Sequence, residues 1–243
     1  MSPRTKSPAC LVVFAKTPVR GGVKTRMRPF LSDDDCLRLH SLLLRLWMGR
    51  LRDWDLGPVC KTVFMTPLGV DRVEPDLKLE APEDVAIETQ QGNDLGQRLS
   101  HALNQKWNEG FRKVVFIGTD SPLLEIGDLK AAFQALNEAD VVLGPATDGG
   151  YYLIGFASLL SALFSGISWG TSEVFRETVH RLEANSIRWQ RLRENFDLDT
   201  YDDLVKFCCV LKECPSMLPG PHDRELAALV ENLVTSSGVP ECR

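Results

Sequence analysis

The stretch KVVFIGTDSP (residues 113–122) joins a continuous apolar run to a short polar turn. Residues 113–118 are apolar and rich in β-branched side chains, which is typical of a parallel strand covered by helices on both faces. Asp120 follows that strand directly. In open α/β sheets, ligands bind at the carboxyl ends of the strands near a topological switch point. We therefore expect Asp120 at the mouth of a buried strand, where it is available for binding or catalysis.

Strand-like and helix-like segments alternate on both sides of this stretch. Helices are predicted to begin near Ser32, which can act as an N-cap, near Asn93, which can also cap, and near Thr200. Shorter helices are expected over residues 126–138, 157–165 and 172–185. The strands are predicted at residues 10–15, 61–66, 84–89, 113–118, 139–146, 151–156 and 187–192.

This alternation predicts an α/β fold, a single Rossmann-like domain with a mostly parallel sheet and helices on both faces. The length of 243 residues fits one such domain over residues 1–243. We expect a C-terminal helical extension over residues 208–235 and a frayed tail over residues 236–243.

Composition favours a soluble, cytoplasmic protein. The apolar fraction of 44% and the charged fraction of 25% are ordinary for a globular domain. No segment approaches the ~18 consecutive apolar residues of a membrane span, and the first residues lack the apolar core of a secretory signal. The seven cysteines are scattered without a C-x-x-C pair, so we expect neither a disulfide framework nor a zinc site, and we expect them reduced.

Charge is distributed unevenly along the chain. The first acidic residue is Asp33, and seven Lys or Arg residues precede it, whereas the rest of the chain has 21 basic and 33 acidic residues. That remainder would repel a long nucleic acid or an anionic membrane. A small phosphate-bearing ligand fits the basic N-terminal segment better, although a solvated basic face would show the same charge run.

A glycine-containing basic loop follows the first predicted strand. Glycines allow backbone N–H groups to approach phosphate oxygens, and Lys or Arg supplies the positive charge. Val23 separates Gly22 from Lys24, so the loop is not a Walker A motif, and G-x-G-x-x-G is absent as well. A P-loop hydrolase or a dinucleotide dehydrogenase is therefore disfavoured. The loop is either a phosphate-binding loop or an ordinary mobile basic loop, and it reads KTPVRGGVKTR over residues 16–26.

Two acidic segments could hold a hard cation. Asp120 is either a Mg²⁺ or Mn²⁺ ligand or the cap of the next turn. Asp197 and Asp199 point the same way if their segment is extended, which also suits a cation that prefers oxygen ligands. Thr200 or Asp199 could equally cap the following helix, with Asp203 completing a capping box.

Weaker signals come from Arg98 and from the turn at Asp148-Gly149-Gly150. Arg98 lies in the first turns of a predicted helix, where it could reach a phosphate or remain a surface residue. The Asp148 turn could present a carboxylate and bare backbone to a sugar or base, or serve only as a hairpin turn. No Ser-His-Asp or Cys-His arrangement is evident, and the four histidines have no metal-ligand spacing.

Six motifs taken in order resemble the bacterial GT-A-like glycosyltransferases of the nucleotide-diphospho-sugar transferase superfamily. The resemblance covers about residues 10–207 and extends, more distantly, to the 2-phospholactate and molybdenum cofactor guanylyltransferases. The motifs are FAKTPVRGGVKTRM, QGNDLGQR, FIGTDSPLL, GPATDGGYYLIGF, SWGTSEV and DLDTYDDL.

The resemblance implies a set of site residues. Asp120 would hold the metal, and Asp199 matches the late carboxylate that completes the metal site in related nucleotidyltransferases. Asp148 would line the acceptor side. The implied catalytic residues are Lys24, Arg26, Asp120 and Asp148, and the implied nucleotide-binding residues are Lys16, Gly21, Gly22, Lys24, Arg26, Arg98 and Gly149.

The expected activity is metal-dependent transfer of a sugar from a nucleotide-sugar to a small-molecule acceptor, with Mg²⁺ or Mn²⁺ as cofactor. Glycosyltransferases of this fold usually carry Asp-x-Asp, whereas Ser121-Pro122 follow Asp120, as in the nucleotidyltransferase relatives. Nucleotidyl transfer from a nucleoside triphosphate, with release of pyrophosphate, is therefore an alternative. A catalytically idle nucleotide-binding module is a second alternative.

Overall fold

The computed structural model describes residues 9–67, 81–214, 217 and 221–236. Two short 3-10 helices, Thr25–Met27 and Ser161–Phe164, accompany the longer elements. The expected tail beyond residue 236 lies outside the described residues. The strands and α-helices are, in chain order, β1 (Ala9–Ala15), α1 (Asp33–Asp53), β2 (Val59–Met65), β3 (Val85–Thr89), α2 (Leu95–Asn108), β4 (Lys113–Gly118), α3 (Ile126–Ala135), β5 (Val141–Pro145), β6 (Tyr151–Phe156), α4 (Val174–Ala184), β7 (Trp189–Arg191), α5 (Tyr201–Glu213) and α6 (Pro221–Ser236).

The described residues form one seven-stranded sheet in the order β3-β2-β1-β4-β6-β5-β7. β1 pairs in parallel with β2 and β4, β2 with β3, and β5 with β7. β6 is antiparallel to both β4 and β5, so β5 and β7 run in the same direction as β4. The predicted mostly parallel α/β fold is confirmed. The chain winds to one side of β1 through β2 and β3 and then crosses to β4 on the other side, which creates a topological switch point between β1 and β4.

Helices cover both faces of the sheet, as the continuous apolar strands require. Alternate residues of β1 face opposite layers: Leu11 and Val13 pack with α1 and α3, whereas Cys10 and Val12 pack with α2, α4 and the second 3-10 helix. Because both faces of the sheet are covered, the loops after β1, β4, β5 and β7 meet at the edge formed by the carboxyl ends of these strands.

The C-terminal helices bury a second side of α1. Leu39, Leu43 and Leu46 of α1 pack against Phe207 of α5 and Val230 of α6. Because α1 contacts the sheet on one side and α5 and α6 on another, most of its residues are buried. The extension predicted over residues 208–235 corresponds to the second half of α5 and nearly all of α6.

Helix caps account for several element boundaries. Ser32 accepts a hydrogen bond from the Asp35 amide at the start of α1, as predicted. Asp94, not the predicted Asn93, caps α2 by accepting from the Gln97 amide. Residues 157–165, expected to form an α-helix, contain only the 3-10 helix Ser161–Phe164.

Two further expectations have a structural outcome. In the described part of the chain, no helix is long and apolar enough to cross a membrane. Cys209 is disulfide-bonded, so the expectation of uniformly reduced cysteines is wrong for that residue. The described cysteines that are free are Cys10, Cys36, Cys60, Cys208 and Cys214.

Candidate active site

The carboxyl ends of β1, β4, β5 and β7 lie at one edge of the sheet because these strands run in the same direction. The loops that follow them carry most of the candidate residues. Backbone hydrogen bonds fix the segment after β7 in this edge: the Asn195 amide donates to the Pro145 carbonyl (3.0 Å) and the Leu198 amide donates to the Asp120 carbonyl (2.7 Å). The topology thus brings four distant parts of the sequence together.

The loop after β1 is stabilised by the first turn of α1. Arg20 pairs with Asp34 at 2.6 Å, and Arg28 pairs with Asp33 at 2.7 Å. Gly21 has φ +72°, a left-handed conformation that glycine adopts without strain. These ion pairs neutralise part of the basic segment. Lys16 is exposed and makes no ion pair with a described residue, so its ammonium group is available to a ligand.

Lys24 links three loops at a single atom. Its side chain is only 2% exposed, and its Nζ donates to Asp120 Oδ1 at 2.7 Å and to the carbonyl oxygen of Leu198. The loop after β1, the end of β4 and the segment after β7 therefore meet at the Lys24 ammonium group. Phosphate binding by Lys24 stays a prediction, and the contact gives this residue a clear role in positioning Asp120.

Asp120 is held as an anion. Burial raises the pKa of its carboxyl group, but the positive charge of Lys24, together with contributions from His40 and Lys16, more than offsets that effect and leaves the pKa below its ordinary value. The side chain keeps 36% of its surface exposed. Among the described residues, Oδ2 makes no hydrogen bond or ion pair, so one carboxylate oxygen is available to a ligand or cation.

A second group of carboxylates surrounds Asp197. Burial and the negative charges of Asp120, Asp148 and Asp199 raise its pKa to about 7, while the hydrogen bond donated by Ser121 Oγ acts in the opposite direction. The carboxylates of Asp120, Asp148 and Asp199 thus lie close enough to Asp197 to disfavour its ionised form. Asp197 was recognisable in the sequence only by its same-side spacing with Asp199.

Asp199 pairs with Arg26, whose Nη1 lies 2.8 Å from its Oδ2. Both residues were predicted site residues, and the structure brings them together at the same edge. Of the roles left open for Asp199 and Thr200, the structure assigns the cap of α5 to Thr200, which forms a capping box with Asp203. The second oxygen of Asp199, Oδ1, makes no hydrogen bond or ion pair with the described part of the chain.

The Asp148 turn is built by close packing. Asp148 Oδ1 accepts from the Gly150 amide at 2.9 Å, and the Gly149 carbonyl accepts from the Phe175 amide at 2.9 Å. Gly149 has φ +88°, and a Cβ there would lie 2.2 Å from the Ser172 carbonyl oxygen. The turn therefore requires glycine and holds an exposed Asp148 in a defined orientation.

Arg98 has a local partner. Its Nε donates to the Gly92 carbonyl at 3.0 Å and so closes the turn that leads into α2. No described contact joins Arg98 to the Lys24–Asp120 pair. Its role as a nucleotide-binding residue stays a prediction.

The carboxylate oxygens of Asp120 and Asp199 are donor atoms of the kind that a hard cation prefers. Mg²⁺ is commonly bound by one or two protein carboxylates together with substrate phosphates and water. Asp120 and Asp199 each offer one oxygen without a partner among the described residues. The described residues contain no group of three or more His, Cys, Asp or Glu side chains arranged to hold a metal. The residues present therefore fit a cation that is bound together with a phosphate ligand, rather than a closed protein cage.

Trp47 and Arg50 were not recognised as site residues from the sequence. The Trp47 indole N–H donates to the Thr119 carbonyl at 3.1 Å, and Arg50 donates to the Pro122 carbonyl at 2.6 Å. They hold the backbone on either side of Asp120. Their spacing on α1 matched an ordinary amphipathic helix, so the sequence contained no signal for this contact.

Comparison with known proteins finds a similar overall fold. Residues 54–171 match the family model described as "Uncharacterized protein conserved in bacteria (DUF2064)". The chain is similar to a structure described as a "putative nucleotide-diphospho-sugar transferase" from Desulfovibrio desulfuricans G20, with 29% identity, a TM-score of 0.81, and coverage of 93% of this chain and 98% of that one. No curated protein sequence matched the chain.

Two more distant structures share the fold. A cytidylyltransferase from Leptospira borgpetersenii serovar Hardjo-bovis (strain JB197) has 16% identity and a TM-score of 0.51, with coverage of 97% of this chain and 98% of that one. The 4-diphosphocytidyl-2C-methyl-D-erythritol synthase from Anaerococcus prevotii DSM 20548 has 8% identity and a TM-score of 0.52, with coverage of 85% and 98%. The fold is that of the nucleotide-diphospho-sugar transferases, and the similarity to these structures supports a transferase.

Proposed function

We propose that the protein transfers a sugar from a nucleotide-sugar to a small acceptor in a metal-dependent reaction. The observation that carries the proposal is the contact between Lys24 and Asp120, which lies at the switch point between β1 and β4 with further carboxylates around it. Ligands of open α/β sheets bind at such a point. The similarity to the Desulfovibrio structure, described as a "putative nucleotide-diphospho-sugar transferase", supports a transferase that uses a nucleotide-linked donor.

The nucleotide diphosphate is proposed to bind over the loop after β1. Lys16 supplies an exposed charge, and the absence of side chains at Gly21 and Gly22 allows a phosphate to approach the backbone closely, although the Gly22 amide itself donates to the Val19 carbonyl. Arg26, which is exposed beside Asp199, can turn its guanidinium group towards the same phosphates. Lys24 stays beneath Asp120 and keeps that carboxylate ionised and oriented.

No protein nucleophile is needed for this reaction. The acceptor hydroxyl would be placed by Asp148, whose Oδ2 makes no hydrogen bond with a described residue and can accept one from that hydroxyl. Arg26 and Lys16 would stabilise charge that develops on the leaving nucleoside diphosphate. Mg²⁺ or Mn²⁺ bound by Asp120 and Asp199 would supply Lewis-acid stabilisation of that same charge.

Nucleotidyl transfer is the second candidate, and one observation favours it. Ser121 and Pro122 follow Asp120, and Ser121 Oγ donates to Asp197. This position therefore lacks the second carboxylate of the Asp-x-Asp motif. In this alternative a nucleoside triphosphate would be the donor and pyrophosphate the leaving group.

A ligand panel separates the candidates. Thermal unfolding is followed with nucleoside mono-, di- and triphosphates and with nucleotide-sugars, each with and without Mg²⁺ or Mn²⁺, because a ligand that binds only the native state raises the unfolding temperature. Sugar transfer predicts the largest metal-dependent shift with a nucleoside diphosphate or its sugar. A larger shift with a triphosphate would favour nucleotidyl transfer, and no shift with any member would favour an idle module.

A further inference from the structure

A cavity of about 550 Å³ lies between the N-terminal half of α2 and residues 161–169. Its volume is in the usual range for small-molecule sites. Its walls contain none of the residues that form the Lys24–Asp120 site. The side chains that matter most for its chemistry are Ser100, His101, Asn104, Ser165 and Trp169.

These side chains suit a neutral ligand that carries many hydroxyl groups. Hydroxyl, amide and imidazole groups both donate and accept hydrogen bonds, and an indole ring packs against the C–H faces of a sugar or polyol. No Lys or Arg is among the lining residues, and Asp94 would repel an anion. Arg181 lies beside the wall, but its guanidinium group donates to the Ser165 and Gly166 carbonyls, so a phosphate or carboxylate would find no cationic side chain among the lining residues.

One polar atom in the cavity wall lacks a partner. His101 Nδ1 is buried and makes no hydrogen bond with any described residue. Because this atom is inaccessible to solvent, hydrogen bonds to a ligand in the cavity are left to side chains such as Ser100, Asn104 and Ser165.

The cavity wall is built by close packing. A Cβ at Gly96 would lie 2.5 Å from Trp169 Nε1 and 2.7 Å from the Phe164 carbonyl oxygen, so only glycine allows residues 164–169 to pack this closely on α2. Trp169 also packs edge-on against Tyr151, with ring centroids 6.2 Å apart. The indole ring is held between these contacts.

The same segment also supports the Asp148 turn. Ser172 packs against Gly149, and the Phe175 amide donates to the Gly149 carbonyl. Residues 164–175 therefore connect the cavity to the turn that carries Asp148. A molecule bound against Trp169 would contact the segment on which that turn depends.

We propose that this cavity binds the acceptor and that the acceptor is a neutral, polyhydroxylated molecule, a sugar or a polyol. The inference rests on the proposed function, which gives Asp148 the acceptor hydroxyl. Asn104 contributes hydrogen bonds to the acceptor, and Trp169 contributes a stacking surface.

Indole N–H signals in NMR spectra test this proposal. The chain has five tryptophans, and Trp169→Phe identifies the signal of Trp169. Glucose, ribose, myo-inositol and glycerol are titrated separately, with inorganic phosphate as the charged probe. We expect a saturable shift of the Trp169 signal with at least one neutral probe and none with phosphate, while the signal of Trp107, near the C-terminal end of α2, stays unchanged.

A matched pair of variants sharpens the test. Asn104→Ala is expected to weaken binding of the responding probe about tenfold, the effect of losing about 1.4 kcal/mol of hydrogen bonding. Gln134→Ala, which changes an exposed residue on α3, is expected to leave that affinity unchanged. Equal affinities in the two variants would contradict a role for Asn104 in the site.

Nucleotide binding is measured on the same samples. If nucleotides raise the unfolding temperature but no neutral probe shifts the Trp169 signal, the cavity proposal fails and the proposed function survives. If neither class of ligand binds, both proposals fail. A stronger response to inorganic phosphate than to any neutral probe would also overturn the cavity proposal.

Discussion

Lys24 Nζ lies 2.7 Å from Asp120 Oδ1, although 96 positions separate the two residues in the sequence. The lysine side chain is nearly inaccessible to solvent, whereas the carboxylate is partly exposed. The buried cation therefore supports an anion that faces the ligand edge of the sheet. This arrangement keeps the Asp120 carboxylate ionised.

Replacing Lys24 is expected to destabilise the protein. Breaking a buried pair costs about 3–5 kcal/mol, and because Asp120 is about one-third exposed we expect about 1–3 kcal/mol for Lys24→Met. Arg26→Met, which breaks the more exposed pair with Asp199, is expected to cost less than about 1 kcal/mol. Urea unfolding measures both free energies, and equal losses would contradict the structural role assigned to Lys24.

His40 should make stability depend on pH. Burial lowers its pKa, although Asp120 and the hydrogen bond to the Lys16 carbonyl act in the opposite direction. The folded protein then binds fewer protons than the unfolded chain just below the ordinary histidine pKa, so the free energy of unfolding falls as the pH falls through that range.

The pH prediction is tested with His40→Gln and with His180→Gln, an exposed histidine on α4. Unfolding free energies are compared at about pH 5 and about pH 7.5, on either side of the ordinary histidine pKa of about 6.5. The wild-type protein and His180→Gln should lose more stability at the lower pH than His40→Gln does. The same loss in all three proteins would refute the assignment.

Gly149 and Gly170 provide a matched comparison of packing at a left-handed residue. Both have positive φ, +88° and +80°, but a Cβ at Gly149 meets the backbone of Ser172, whereas a Cβ at Gly170 meets nothing within 4 Å. Gly170→Ala should therefore lower the free energy of unfolding by about 1 kcal/mol, because only the strain of the left-handed conformation is added.

Gly149→Ala should lower the free energy of unfolding by about 1–3 kcal/mol more than Gly170→Ala does. The added methyl group would force the Asp148 turn away from residues 172–175. Thermal or urea unfolding measures the difference between the two variants. Similar losses would show that the turn tolerates a side chain and that Asp148 is not held by this contact.

Arg50 connects α6 to the loop that carries Asp120. Its guanidinium group lies over the rings of Trp47 and Trp54 and pairs with Asp223 at 3.4 Å, in a buried setting. Arg50→Met should lower the free energy of unfolding by about 3–5 kcal/mol because it breaks a buried ion pair and removes the donors to the Pro122 and Leu124 carbonyls.

Arg45→Met is the control for the Arg50 variant. Arg45 lies on the same helix and pairs with Glu225 of α6, but both side chains of that pair are about half exposed. Its loss should cost no more than about 1 kcal/mol. Urea unfolding compares the two variants, and a loss for Arg45→Met as large as that for Arg50→Met would contradict this distinction.

Much of the fold follows from local sequence patterns. Apolar runs located the central strands, an alternation of apolar and polar residues over 187–192 located β7, and the polar turn after residue 118 placed Asp120 at the end of β4. The capping box at Thr200 and Asp203 was also recognisable, since its residue types and spacing are local. These features depend on neighbours within a few positions.

The contacts that organise the site depend on tertiary packing instead. No spacing rule relates Lys24 to Asp120 or to the Leu198 carbonyl, because the topology alone brings their loops together. Arg50 could not be recognised either, since its partners are backbone carbonyls and a helix at the other end of the chain. Residues 157–165 contain only a short 3-10 helix, and the Phe164 carbonyl at its end lies against Gly96 of α2, a tertiary contact that no local pattern indicates.

Metal-dependent binding of a nucleotide ligand to Asp120→Asn tests the central claim most directly. Calorimetric titration compares this variant with the wild-type protein and with Asp140→Asn, whose carboxylate pairs with Arg188 at the opposite edge of the sheet. The wild-type protein and Asp140→Asn should bind the best nucleotide ligand more tightly with Mg²⁺ or Mn²⁺ than without it, and Asp120→Asn should lose at least about tenfold, or about 1.4 kcal/mol, of that metal-dependent affinity. Equal metal-dependent affinity in a folded Asp120→Asn protein would contradict the assignment of Asp120 to the site.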